Sequence, residues 1–528
     1  MSVDAGLPRL EPRRLAAPGT LAGDILADEP PVRGLLPRPG ADAAAGSRRR
    51  PGRIGAGAFR SASGNSASKL DRVLAGDGVI VSTGQQPVLF LGPLYVVYKA
   101  LTAVANAARI EAASGRPALA CFWVAADDHD WQEVARAHAV DREGVIRTIT
   151  IAPPPDRDSC SVGPTVLPPE TGTALDEYLE LVGRTEFSAE ALRPLRDGFR
   201  PGATFAGAFV GVLAELLAGL DIVILDASRP EVKSAAAPFL RRCLEDAAGC
   251  AAAFEAGTAR VAAAGHEPRL RPPAGGTQVF HEAERREHLV RGADGRLGAR
   301  DRESEPLACW LERLDADPGR FSAGAALRPA LESWLLPVAR TALGPGELEY
   351  WAQLGPLFAH LDVPLPEVVP RSSWRLVEPR VDRWLGKVAA AAAELADGGD
   401  AVVRRLVAGH RPPSVAAAIE KLRAGLDRDF GRVEAAAREE LPGIRSAVGK
   451  ARKSAFDSVS ELEGTVDARV RERQEILVSQ ARRAAAHLYP GGRPQERVVG
   501  PWPFLARYGP GFLSELVEAH GLAPQEGR

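Results

Sequence analysis

Three short apolar runs constrain this chain most: GVIVST at 78–83, PALACFWVA at 117–125 and LDIVILD at 220–226. Each has strand length, each ends in polar residues, and helical patterns separate them. Strands apolar on both faces and alternating with helices require a parallel sheet covered on both sides, an α/β layer fold. Such sheets take ligands outside the carboxyl ends of their strands. Two polar segments, TGQQP at 83–87 and ADDHD at 126–130, therefore fall on the ligand edge. After the first, Leu94, Val97, Tyr98, Leu101, Val104, Ala105 and Ala108 recur at helical spacing, with Pro93 suited to the first helical position. VIRTITI at 145–151 and a hairpin at 288–299 around Asp294-Gly295 read as smaller β pieces inserted between core elements.

At 528 residues the chain exceeds one ordinary core. Its first 68 residues, rich in Pro, Gly, Ser and Arg, read as an extended leader with one short helix. The arginine run RRRPGR at 48–53 reads as a solvated loop. Past residue 375 strand signals vanish. Ile419, Leu422, Leu426, Phe430 and Val433 mark one helix. Ile444, Val448, Val459, Val466, Val470, Leu477, Ala484 and Leu488 mark a second after Pro442-Gly443. The pair reads as an antiparallel coiled-coil hairpin, its second helix about 45 residues and about 65 Å long. The expected division is 1–374 for leader and core, 375–490 for the helical arm, and 491–528 for an aromatic-rich tail docking on the core.

Lys and Arg number 66 against 68 Asp and Glu, a net charge of −2, which gives no basic footprint for nucleic acid. No run of 18 apolar residues offers a membrane span, and the N-terminus has no secretory h-region. Five scattered cysteines with no C-x-x-C pair fit a reducing, cytoplasmic setting.

TGQQP sits where a strand ends and a helix begins, so unpaired backbone N–H groups attract anions there. Thr83, Gln85 and Gln86 add neutral donors and acceptors, Gly84 admits close approach to the backbone, and Lys99 adds a cation. The competing reading is a turn whose glutamines cap local backbone. ADDHDWQEV gathers Asp127, Asp128 and Asp130 around His129, with Glu133 one turn on. A carboxylate orients an imidazole and raises its basicity; the same set could hold a divalent cation beside a phosphate. The alternative is a helix start with Asp in its first turn. H-E-x-x-H is absent, and no metal site is assigned. In ALGPGELEYWAQL, a Gly-Pro-Gly turn precedes Glu347 and Tyr350 on one helical face, where a plain helix start with a packed aromatic is the competing reading. VPRSSW at 369–374 joins Arg371 to two hydroxyls that could meet a phosphate. G-x-S-x-G, the P-loop and the dinucleotide fingerprint are all missing.

Together and in order, STGQQPVLFLGPLYVVYKALTA, FWVAADDHDWQEV, ILDASRPEVKSAAAPFLRR, LLPVARTALGPGELEYWAQLGPLFAHLDVPLPEVVPRSSW and PQERVVGPWPFLARYGPGFLSEL resemble the cysteine-adding enzymes of bacillithiol biosynthesis, from about residue 20 onward. The resemblance implies a Rossmann-like core similar to class I nucleotidyltransferases, inserted connecting segments and a coiled-coil arm. It implies joining of the L-cysteine carboxyl to the amino group of glucosaminyl malate in a homodimeric enzyme. It leaves the cofactor open, with ATP or ADP and Mg²⁺ as candidates. On this reading His129 is the general base, Asp128 and Asp130 orient it, and Thr83, Gly84, Gln85, Gln86, Tyr95, Lys99, Glu347 and Tyr350 bind substrate. Two departures stand out. Where the wider group has His-x-Gly-His, this chain has Phe90-Leu91-Gly92-Pro93. Where the family has an asparagine after Phe-Ser, this chain reads SAGAALRP at 322–329. The alternatives are a nucleotidyl- or aminoacyl-transferase on another small substrate, and a non-catalytic coiled-coil scaffold.

Overall fold

The computed structural model describes residues 6–39, 52–141, 144–155, 157, 159–271, 273–299 and 303–523. The chain forms two compact units. The first holds the chain up to Asp141, Ile146–Arg375 and the tail from Glu496; the second is built on Leu376–Gln495.

The first unit is organised by a six-stranded sheet. Its strands are β1 (Phe59–Ser61), β2 (Val79–Gln85), β3 (Ala118–Val124), β4 (Ile222–Asp226), β5 (Val338–Leu343) and β6 (Glu367–Pro370). Their order is β6-β5-β2-β3-β4-β1. The five strands β2 to β6 are parallel, and β1 runs antiparallel on the β4 edge. All seven residues of β3 are buried, as a strand covered on both faces must be. The order reverses between β2 and β5, the first strand of the parallel set having neighbours on both sides. That is the switch point of a doubly wound sheet, where the flanking crossovers part and leave a crevice.

Helix α1 (Tyr95–Ser114) follows β2, starting two residues past Pro93, and α2 (Pro230–Glu245) follows β4. Between β4 and β5 the chain inserts an antiparallel sheet ordered Leu297–Gly298, Arg286–Arg291, Gly276–Glu282, Phe321–Ala323. The expected hairpin is present: Leu297 pairs with Arg291 across a turn in which Gly295 has φ +80°. Ile146–Thr150, the other inserted β piece, pairs with Arg136–Val140.

The leader differs from its expectation. Its described part is packed into the core through Leu21, Ile25, Val32, Leu35 and Leu36, and supplies β1 to the sheet. Apolar residues spaced among prolines and glycines bury as well as those in regular elements; only the periodicity is lost. Most of the arginine run lies outside the described residues. Its last member, Arg53, stacks at 4.3 Å on the Trp334 ring. In the tail, Trp502 is buried and its indole N–H donates to the Phe90 carbonyl at 2.7 Å.

In the second unit, Val377, Val381, Leu385, Val402, Val407, Ala481, Ala484 and Leu488 form a separate core. The arm is α4 (Pro413–Glu440) packed against α5 (Arg445–Arg473), with α3 reserved for Pro345–Trp351 of the first unit. The long second helix is broken: α5 ends at Arg473, Gln474 leaves helical geometry at φ −104° and ψ 22°, and α6 (Glu475–Leu488) follows. Ile419, Val448, Val459 and Val470 are buried in the unit; the ion pair Arg423–Glu463 joins the two legs, and Arg411, just before α4, pairs with Asp467 of α5. Leu422, Val433, Ile444 and Leu462 stay exposed, because two helices cover only one stripe of each other.

Candidate active site

A cleft of about 540 Å³ opens at the carboxyl edge of the sheet, at the switch point. The loops after β2, β3 and β5 line it, together with the inserted antiparallel sheet. Gly84, Gln85, Gln86, Tyr95, Lys99, Asp128, His129, Glu347 and Tyr350 all face it. Thr83 and Asp130 do not.

Thr83 is buried, its hydroxyl donating to the Ala342 carbonyl of β5 at 2.9 Å, so it clamps two strands at the switch point. Gly84 leaves no room for a side chain: a Cβ would lie 2.9 Å from the Trp123 carbonyl oxygen. Lys99 reaches back from α1 and uses all three ammonium donors. It gives hydrogen bonds to the Gly84 carbonyl at 2.7 Å and Gln85 Oε1 at 3.0 Å, and pairs with Glu347 Oε2 at 2.7 Å. Burial pulls the Lys99 pKa down, against the opposing pull of Glu347. Glu347 also accepts the Gly344 N–H at 2.8 Å, closing the first turn of α3.

The acidic segment separates rather than converges. Asp127 pairs with Lys233 of α2 at 2.5 Å. Asp130 caps a short helix by accepting the Glu133 N–H at 2.9 Å. Asp128 stays in the cleft, accepting from Gln86 Nε2 at 2.5 Å and from the His129 backbone N–H at 2.7 Å. Burial pushes the Asp128 pKa up, but His129, Arg286 and Gln86 outweigh it and hold the carboxyl well below its usual range. Glu133 moves the other way, raised by burial and by the nearby charges of Asp130 and Asp128. Among the described residues no three His, Cys, Asp or Glu side chains converge to hold a metal.

Arg269, Arg286, Arg328, Arg371 and Arg497 also line the cleft. Arg371 pairs with Glu496 at 2.8 Å and lies over the Tyr95 ring at 5.4 Å. The neighbouring serines turn elsewhere: Ser373 donates to Glu496 and Ser372 meets Thr102. Arg328 pairs with Glu332 at 3.0 Å and donates to the Tyr350 hydroxyl at 3.2 Å. Burial raises the Tyr350 pKa, with Arg328 working against it. Burial carries Tyr95 up to about 12, with Glu133 and Glu347 adding to it. Arg286 comes from the inserted sheet, stacks on Phe280 at 3.9 Å and stands 3.1 Å from His129 Nδ1. Nothing local in the sequence marks Arg286 or Arg328. The cleft thus has a cationic side suited to carboxylate or phosphate and an acid–imidazole side suited to moving protons.

Phe90-Leu91-Gly92, the segment standing where the wider group has histidines, is packed in the core. Phe90 contacts Tyr178 and Phe199 at ring-centroid distances of 5.1 and 5.4 Å, outside the cleft.

A Rossmann-like domain with its cleft at the switch point, carried on one chain with a coiled-coil unit, defines a class of small-molecule enzyme. Residues 58–372 match the family model "Bacillithiol biosynthesis BshC, N-terminal Rossmann-like domain", and residues 375–523 match the model of its C-terminal coiled-coil domain. The chain belongs to the bacillithiol biosynthesis BshC family. It is 30% identical to a Heliobacterium modesticaldum protein named "Putative cysteine ligase BshC", over 87% of this chain and 84% of that one. Proteins of the same name from Salinibacter ruber and Chlorobaculum tepidum are 29% and 27% identical, over 86% and 83% of this chain and 82% and 80% of theirs.

Proposed function

We propose that this protein is a cysteine ligase that joins the carboxyl of L-cysteine to the amino group of glucosaminyl malate, completing bacillithiol. The observation that carries this reading is membership of the family across both domains, with a cleft that offers both chemistries the reaction needs. Arg269, Arg328, Arg371 and Arg497 give the cleft a positive side for the malate carboxylates or for a phosphate. Asp128, His129 and Glu133 line the same cleft, and in this reading their carboxylates offer the attacking amine a proton acceptor. Amide formation from a free carboxylate needs activation, and ATP with Mg²⁺ is the candidate cosubstrate. A nucleotide here would meet arginine and lysine side chains rather than the imidazoles of the wider group. A Mg²⁺ ion would arrive with the phosphates, as that ion commonly does.

The enzyme works as a cytoplasmic homodimer in this reading. No helix among the described residues is long and apolar enough to cross a membrane, and the exposed apolar residues of the arm suit self-association.

The test is direct: purified protein, L-cysteine and glucosaminyl malate, with and without ATP and Mg²⁺, with the product read by mass spectrometry. A product heavier than glucosaminyl malate by one cysteinyl residue is expected. Folded protein that yields none under either condition overturns the assignment of substrates. Pyrophosphate release with a different amino acid then points to the transferase alternative.

A further inference from the structure

Arg286 Nε donates to Ser322 Oγ at 3.0 Å, one terminal nitrogen stands 3.5 Å from the Ala323 carbonyl, and the other stands 3.1 Å from His129 Nδ1. The guanidinium plane lies on the Phe280 ring, and the Arg286 backbone N–H is held by the Ser159 carbonyl at 2.9 Å. The side chain is buried, so this geometry is built and not a passing surface contact. A guanidinium only donates. The ring nitrogen it faces must therefore present a lone pair, which places the imidazole proton on Nε2. The other claimant on Nδ1 is Asp128 Oδ1, farther away at 3.5 Å and already accepting the His129 backbone N–H.

We infer that Arg286 is a positioning residue that keeps His129 neutral, in the tautomer protonated at Nε2, so that His129 serves the cleft as a hydrogen-bond donor. This departs from the expectation of a general base. A base at His129 needs a free lone pair; Nδ1 gives its own to Arg286, and Nε2 carries the proton. An imidazolium would set Nδ1–H against the guanidinium N–H. The charged side chains around this part of the cleft are Asp127, Asp128, Glu133 and Arg286. Of the cleft's carboxylates, Asp127 is paired with Lys233, Glu347 is held by Lys99 and the Gly344 N–H, and Asp128 is doubly hydrogen-bonded, which leaves Glu133 as the cleft's proton acceptor. The role of His129 as a donor in catalysis rests on the cleft being the active site. Its tautomer does not.

The experiment is long-range proton–nitrogen NMR on the full chain with ¹⁵N-labelled histidine. The chain has nine histidines, and the His129→Gln variant identifies the signal that belongs to His129. At pH 7, without substrate, a protonated Nε2 and a bare Nδ1 are expected. In Arg286→Met, Asp128 becomes the nearest partner of Nδ1, and the proton moves to Nδ1 or the ring becomes imidazolium. A native His129 protonated at Nδ1 or doubly protonated overturns the proposal, whether or not the variant folds. A tautomer unchanged in folded Arg286→Met overturns the positioning role. Neither outcome depends on which substrates the enzyme uses, so failure of the ligase reading remains a separate result.

Discussion

The Lys99 ammonium of α1 lies 2.7 Å from the Glu347 carboxylate, and because it also holds the Gly84 carbonyl and Gln85 Oε1 it ties the end of β2 to the first turn of α3 across the switch point. Lys99→Met removes the charge while nearly keeping the stem, leaves the Gly84 carbonyl and the Gln85 amide oxygen without this donor, and leaves Glu347 with the Gly344 N–H alone. Removing one partner of a buried pair costs about 3–5 kcal/mol. A loss of that order in urea unfolding is expected, and the Lys99→Met/Glu347→Gln double variant should recover part of it. A loss under about 1 kcal/mol would mean the pair is spectator to the fold.

Asp128 is expected to be indispensable to turnover and also to shape acid stability. Its folded pKa is depressed, so its stabilising contribution is present above the unfolded value of about 3.9 and is lost as pH falls through the folded value. Asp128→Asn should therefore lose less stability than the native protein between pH 4 and lower pH, in approximate terms set by that unfolded value. Thermal melts across this range, beside rates measured at pH 7, separate the two effects.

Much of this arrangement is legible in the sequence, for identifiable reasons. The strands are continuous apolar runs, and the fold rule then places Gln85, Gln86, Asp128 and His129 on one edge without any knowledge of packing. Thr83 ends the first apolar run and reads as a substrate-binding residue, yet its register next to Ala342 turns its hydroxyl into the sheet. Arg286 reaches His129 from 157 residues away in sequence, through an inserted hairpin whose own pattern says only strand and turn. The break at Gln474 has no glycine or proline to announce it. The leader hides its core contacts because irregular backbone has no period.

Glu133 gives the proton-acceptor assignment its kinetic test. Its pKa stands above the ordinary 4.5, through burial first and then through Asp130 and Asp128. A group that must be ionised to accept a proton makes the rate fall on the acid side of its pKa, so the acid limb of kcat/KM should be centred above 4.5. Glu133→Gln should abolish that limb and lower kcat about 100-fold or more. An acid limb that survives in the variant assigns it to another group.

The arm should govern association and not chemistry. Replacing residues 415–465 by a short flexible linker removes the exposed Leu422, Val433, Ile444 and Leu462 while leaving Val466 and Val470 with the separate core around Val402 and Ala481. Sedimentation is expected to report a dimer for the native chain and a monomer for the deletion. A dimer that persists places its interface elsewhere.

Gly84 carries the sharpest steric expectation. The obstacle to a side chain there is the Trp123 carbonyl oxygen, 2.9 Å from where a Cβ would sit, and that oxygen belongs to β3 at the centre of the sheet. A flexible side chain could swing aside; a ladder strand cannot move without disturbing its partners on both sides. Gly84→Ala should therefore cost about 1–3 kcal/mol by overpacking. The displacement should spread to Gln85 and Gln86 and loosen the Gln86–Asp128 contact, so the variant should lose turnover out of proportion to its lost stability. Measuring Tm and kcat on the same preparation decides it: a lowered Tm with full activity would show that β2 and β3 absorb the methyl without transmitting it to the cleft.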